Sequence, residues 1–247
     1  MIDKMKLRRT VRRYSAEPVS EELLTNLLEA AVRAATTGNM QLYTIVVTRS
    51  AEGKEALAPA HFNQPMVRTA PVVLTFCADF ARFSAWCEAR QAEPCYDNLQ
   101  SFVAATADTL LAAQAFCTAA EDLGLGTCML GTTTYNADKI IAALELPRLV
   151  VPIITVTLGW PEAMPEQPER LPLEAVVHQE RYVQPTTERI DAWYGAKEAL
   201  EVNRKFVEEN GKQTLAQVFT DVRYPRKNNE YFSEVLLKVL REQGFLK

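Results

Sequence analysis

The sequence is poor in histidine: His61 and His178 are its only two, far apart and outside any HExxH spacing, so no metal site is expected. Five cysteines, Cys77, Cys87, Cys95, Cys117 and Cys128, form no CxxC pair. Their odd number and irregular spacing do not make a disulfide framework, and they read as small buried hydrophobes in a reducing compartment. No run of about 18 uncharged apolar residues occurs, so no membrane span is expected. MIDKMKLRRTVRRY at the start carries charge with no apolar stretch behind it, unlike a secretory leader, and a cytoplasmic protein is expected. GxSxG, Walker A and kinase signatures are missing, as are internal repeats and low-complexity tracts. A formal net charge of −4 argues against bulk nucleic-acid binding.

What is present is ordinary globular material: 48% hydrophobic and 23% charged residues over 247 positions, enough for a sizeable core. Ser20 stands as an N-cap before Glu21 and Glu22, and Leu23, Leu24, Leu27, Leu28 and Ala31 follow at helical spacing. The pattern predicts an amphipathic helix from Ser20 to Ala35. Strands are predicted over Leu42–Thr48 and Pro71–Asp79, over GTCML, and over VPIITVTLG ending at Gly159. A short helix is expected in EGKEALAPA, a long alanine-rich one over Leu99–Leu123, and another over Asp138–Leu144. WPEAMPEQPERLP, with four prolines, must be an extended loop. From Thr186 on, three polar helical segments, each with one apolar stripe, suit an arm laid over a surface.

The densest feature is RRTVRRYSAEPVS, in which Arg8, Arg9, Arg12 and Arg13 fall within six residues. A charge run commonly marks a solvated face. In extended backbone, however, Arg8, Thr10 and Arg12 share one side, a comb of guanidinium and hydroxyl donors suited to a phosphate. AATTGNMQLY offers Thr36 and Thr37, small enough for a planar ligand to approach the backbone, and the amides of Asn39 and Gln41. Its Gly38-Asn39 pair is equally a turn signal. Asn63 and Gln64 precede a buried strand and could match the mixed edge of a heterocycle. GLGTCMLG is not a dinucleotide fingerprint, because its glycines follow a helix and feed a strand. Gly124 reads as a helix C′ residue, and Gly131 as a place where backbone could meet a ligand. Arg170, in the proline-rich loop, is an isolated cation.

Taken in order and spacing, RRTVRRYSAEPVSEELLTNLLEAA, AATTGNMQLYTIVV, APVVLTFCAD, GLGTCMLG and LGWPE…RLPLEAVVH resemble the nitroreductase family of FMN-dependent oxidoreductases over about residues 6 to 182. The long C-terminal arm is similar, more loosely, to that of the NADPH-dependent branch. The resemblance implies an α+β fold with a central mixed, mainly antiparallel sheet flanked by helices, in an intertwined homodimer. It divides the chain into an FMN-binding core over 1–183 and a helical arm over 184–247 that packs on the partner subunit. It further implies that Arg8, Arg9 and Thr10 hold the FMN phosphate and that Arg12 sits beside the flavin N1–C2 edge. Thr36, Thr37, Asn39 and Gln41 would line the flavin, Asn63 and Gln64 would read its pyrimidine side, and Met129, Leu130 and Gly131 would end a strand near the ring. Arg170 matches a late phosphate clamp, although Pro168 stands where many members have a lysine.

The implied activity is a two-step exchange at flavin N5 with no protein residue as catalyst. NADPH or NADH delivers hydride and leaves, and a nitroaromatic, quinone or free flavin then takes it. A dehalogenase, a ring-cleaving flavin enzyme or a non-catalytic FMN-binding protein are the alternatives. Arg223 and Arg226, in DVRYPRKNN, are candidates for the NADPH 2′-phosphate, or else part of a solvated basic turn. Substrate choice is expected in a loop over Phe80 to Asn98. No nucleic acid, membrane or metal is expected as a partner.

Overall fold

The computed structural model describes residues 1–247. A short helix, α1 (Ile2–Lys6), leads into the arginine-rich segment, which runs extended without joining a sheet. Helix α2 (Glu21–Ala31) starts where expected, with Ser20 Oγ accepting from the Leu23 amide at 3.1 Å, but stops four residues short of Ala35 at a turn through Val32. Strand β1 (Tyr43–Thr48) is followed by α3 (Ala51–Leu57), then α4 (Pro65–Thr69), which begins on a proline. Strand β2 (Val72–Asp79) precedes α5 (Ala81–Glu88), α6 (Leu99–Asp122) and strand β3 (Gly126–Leu130). Helix α7 (Ala137–Leu144) and strand β4 (Val150–Gly159) complete the alternation.

The four strands form one sheet in the order β1-β2-β4-β3, and all three pairings are antiparallel. Alternation along the inner strands separates two apolar layers. Leu74 and Phe76 of β2, with Val156 and Leu158 of β4, pack against Leu24 and Leu27 of α2 and Phe116 of α6. Val73, on the other side of β2, joins Cys128 and Leu130 of β3 beneath Leu57, Met66 and Ile140. Both inner strands are buried along their whole length, which is why they read as continuous apolar runs.

Helix α6 is long and apolar enough to cross a membrane by length and composition alone. Here it is a core helix: Ala105, Ala112, Ala113, Phe116, Cys117 and Ala120 are fully buried. Its end is a Schellman turn, with Leu125 N donating to Ala120 O at 3.0 Å and Gly124 N to Glu121 O at 3.1 Å, and Gly124 at φ +89°.

The chain falls into two compact units, Met1–Glu166 with Phe232–Lys247, and Gln167–Tyr231. The boundary expected at 183/184 lies inside the second unit. The second unit holds α8 (Thr187–Glu198), α9 (Glu201–Glu209) and α10 (Leu215–Val218); the segment expected as one helix from Thr186 breaks where Leu200 turns to extended backbone. Helix α11 (Arg226–Glu242) crosses from the second unit into the first. Val239, Leu240 and Phe245 belong to the first unit's own core, beside Phe80, Phe102 and Ile153. The final residues are therefore part of the first unit's core.

At Gly126 a Cβ would lie 2.6 Å from Val11 Cβ, whereas at Gly131 it would meet nothing within 4 Å. Gly126→Ala is expected to destabilise the fold by about 1–3 kcal/mol through overpacking, and Gly131→Ala by much less. Urea denaturation of the two variants beside wild type checks this ordering.

Candidate functional site

The arginine segment is held by its odd member. Val11 N donates to Thr127 O of β3 at 3.0 Å, and the Val11 side chain is buried against Gly126. Tyr14 fixes the other end, its hydroxyl donating to Val11 O at 2.9 Å and lying 2.6 Å from Thr157 Oγ1 of β4. Burial pushes the Tyr14 phenol well above its ordinary range, so it stays protonated as a donor. With the backbone pinned, Arg8 Nη1 donates to Thr10 Oγ1 at 3.4 Å, and both residues are half-buried. Arg8 Nε lies 3.4 Å from Glu121 at the end of α6.

Arg8 and Arg9 line one cavity of about 380 Å³ together with Val11, Glu121 and Leu125. Arg9 Nε is buried with no hydrogen-bond partner in the protein. A cation with an orphaned donor at the wall of a cavity of ligand size suits an anionic group such as a phosphate. Arg12 is exposed. Burial raises the Cys128 thiol pKa, while the charges of Arg12 and Arg8 favour the thiolate. Arg13 is exposed as well.

The Thr36–Leu42 loop is built on a carboxylate that sequence reasoning did not single out. Asp108, 1% exposed on α6, accepts from Thr37 N at 2.8 Å, Thr37 Oγ1 at 2.9 Å and Leu42 N at 3.1 Å. From the other side Arg82 of α5 donates to Gln41 O and, at 3.1 Å, to Tyr43 O. Between these clamps Asn39 and Gln41 sit at φ +56° and +55°, left-handed backbone that is unfavourable for residues with a Cβ. Thr37 turns its hydroxyl toward Asp108. Asn39 and Gln41 are exposed, and Gln41 Nε2 bonds Asn39 O at 2.9 Å, leaving its side-chain oxygen as an acceptor. This loop borders a groove of about 450 Å³ with Met40, Tyr43 and Arg82, separate from the Arg8–Arg9 cavity.

Asn63 and Gln64 are brought next to the end of β3. His61 Nδ1 lies 2.9 Å from Thr132 Oγ1, and Asn136 Nδ2 donates to Ala60 O at 2.9 Å. Asn63 is left-handed, and its side-chain oxygen accepts from Arg68 at 2.9 Å, so its amide protons remain to be offered. Met129 is half-buried, Leu130 packs into the core, and Gly131 is exposed with open space at its Cα. Only the backbone of this stretch, with the Met129 side chain, can present itself to a ligand.

The remaining candidates lie in the second unit. Arg170 is exposed and donates to the carbonyl of Glu169 at 2.9 Å. The Arg223 guanidinium stacks 4.6 Å from Phe206 and 5.3 Å from Phe219, whereas the Arg226 side chain is 89% exposed, 3.6 Å from Glu230. Another cavity, about 510 Å³, lies in this unit and is walled by His178, Tyr182, Trp193, Tyr194 and the carboxylates of Asp191 and Glu198. With no arginine or lysine in its wall it offers nothing to a phosphate. Phe80–Asn98, expected as a loop, contains α5, and Phe80 stacks on Tyr96 at 4.7 Å with Phe83 against both.

The fold is an antiparallel α+β core, and a cavity with two arginines in its wall lies beside it. Residues 5–160 match the nitroreductase family, and the chain belongs to it. It is 32% identical to the FMN reductase (NAD(P)H) of Bacillus subtilis, covering 96% of this chain and 94% of that one. The oxygen-insensitive NADPH nitroreductase of Salmonella typhimurium is 30% identical over the same shares of the two chains. A solved chain from Bacteroides fragilis superposes with a TM-score of 0.98 at 59% identity, covering 99% of this chain and all of that one.

His61 is fully buried, and burial pulls its pKa from 6.5 to about 4. Between those values the unfolded chain binds the extra proton. The neutral imidazole therefore contributes stability in full above about pH 6.5, and the contribution is lost as pH falls toward 4, by ~3 kcal/mol in all. Urea unfolding of wild type and His61→Gln at pH 7.5 and 5 should show a steeper loss in wild type; parallel losses would assign the acid sensitivity elsewhere.

Proposed function

We propose that this protein is an FMN-dependent oxidoreductase that takes hydride from NAD(P)H and passes it to nitroaromatics, quinones or free flavin in two successive half-reactions. The single observation that carries the site assignment is the half-buried Arg8–Arg9 pair, with its partnerless Arg9 Nε, lining a cavity in a chain of this family. FMN, when bound, supplies hydride acceptance and donation at its N5 atom.

The residues of the chain then divide the remaining work. Arg8, Arg9 and Thr10 hold the phosphate by charge-assisted bonds. Arg12, exposed next to Val11, whose amide bonds β3, would offer its guanidinium to the N1–C2 edge, where negative charge develops on reduction. Asn63 and Gln64 present amides to the pyrimidine side, and Met129–Gly131 present mainly backbone. Gln41 lines a groove separate from the arginine cavity, and the loop of Thr36, Thr37, Asn39 and Gln41 would line the flavin where the interface of a homodimer completes the site. Helices of the second unit pack on the partner subunit, and Arg170 adds a late cation. His61 is buried and its pKa is lowered, so it is not a proton donor near neutral pH, and water would supply the protons that accompany reduction. Five free cysteines fit a cytoplasmic location.

The purified protein is expected to show a flavin absorbance band that NADPH bleaches under nitrogen and a quinone or nitroaromatic restores. A colourless protein that takes up no added FMN would overturn the assignment. Arg8→Ala should retain at least about tenfold less flavin than Arg13→Ala, from the loss of a charge-assisted bond. For the nicotinamide donor, Arg226→Ala should raise KM for NADPH and leave that for NADH unchanged. Arg223→Ala, whose guanidinium is stacked on Phe206, should lower thermal stability as well.

A further inference from the structure

Glu121 is an unexpected neighbour for a phosphate site. It lines the same cavity as Arg8 and Arg9, and it sits in the last turn of α6, where a carboxylate opposes the helix dipole. Asp122 beside it is served by other cations, the α-amino group at 3.7 Å and Lys4 at 3.6 Å. Glu121 faces Arg8, with Oε1 3.4 Å from Nε and side chains only 18% and 24% exposed. The same oxygen accepts from Thr127 Oγ1, and Thr127 O accepts the Val11 amide. One residue of β3 thus holds both the backbone of the hook and the carboxylate that grips its first arginine.

The way Glu121 grips Arg8 decides what Arg8 can do. A guanidinium carries five donors in a rigid fork. Fixing Nε leaves the terminal nitrogens to point elsewhere, and Nη1 points to Thr10 Oγ1 at 3.4 Å. We propose that Glu121 is a positioning residue for the cofactor phosphate: it holds Arg8 by Nε so that the outer nitrogens and the Thr10 hydroxyl face the phosphate together. This rests on the FMN reading above. Burial holds the Glu121 carboxyl above its usual range, and the Thr127 bond and Arg8 offset part of that rise.

Riboflavin, which has the ring and no phosphate, separates this role from a merely structural one. Flavin-stripped full-length protein is titrated with FMN and with riboflavin, following flavin fluorescence. Wild type should prefer FMN, and Glu121→Gln should weaken FMN binding about tenfold while changing riboflavin binding by less than about twofold. Equal weakening of both ligands would show that Glu121 only folds the hook, and would overturn the proposal. Unchanged or tighter FMN binding would overturn it too, making Glu121 a bystander or a competitor for Arg8. Thr127→Val guards against misfolding of the first variant: it removes only the hydroxyl that orients Glu121 and should lower the FMN-to-riboflavin preference in the same direction, and an unaltered preference would count against the proposal. A wild type that binds both flavins equally would instead remove the phosphate clamp on which the reading of the site rests.

Discussion

A backbone bond from the Val11 amide to the Thr127 carbonyl, 3.0 Å long, joins the mobile chemistry of four arginines to the rigid interior of the molecule. Arginine side chains are flexible, and each loses about 2 kcal/mol of rotamer freedom when it is held in one place. A phosphate site assembled from free side chains would meet that cost at the moment of binding. Here part of the cost is met in folding: Val11 is buried on Gly126 and Tyr14 is fastened to Thr157, which fixes the backbone, and Arg8 is held by Glu121 and Thr10. A net negative protein can therefore keep a compact cationic site, because local geometry and not total charge determines the field at the ligand.

The second candidate segment uses the opposite charge. Residues 37–42 contain left-handed positions at Gly38, Asn39 and Gln41, and they are kept in that shape by Asp108 on one side and Arg82 on the other. A buried carboxylate is costly unless its lone pairs are engaged, and Asp108 accepts three bonds. The strain of the loop and the burial of the charge are thus resolved together, and neither would be stable alone.

The sheet was legible in the sequence to within a residue at most strand ends, because Val72–Asp79 and Val150–Gly159 are buried on both faces and read as unbroken apolar runs. The Ser20 cap and the Gly124 turn were legible because each is a local hydrogen-bonding device. What escaped was non-local. Asp108 and Glu121 look like interruptions of an alanine-rich helix until the residues they hold, 71 and 113 positions away in the chain, are seen. Helices α4 and α5 are short and mixed in composition, and the break at Leu200 has no proline or glycine to announce it. The return of Val239, Leu240 and Phe245 to the core was hidden because a stripe of apolar residues does not say which surface it will cover.

Asp108 and Glu121 share one further property: both stand on α6, thirteen residues apart, with ~20 Å of helix between them. The helix is capped at both ends, by the Asn98 side chain and by the Gly124 turn, so it acts as a ruler whose two marks are the hook and the loop. Inserting one residue between the marks would turn one carboxylate by about 100° relative to the other. Between Asp108 and Glu121 a substitution preserves that register, and a single insertion or deletion loses it.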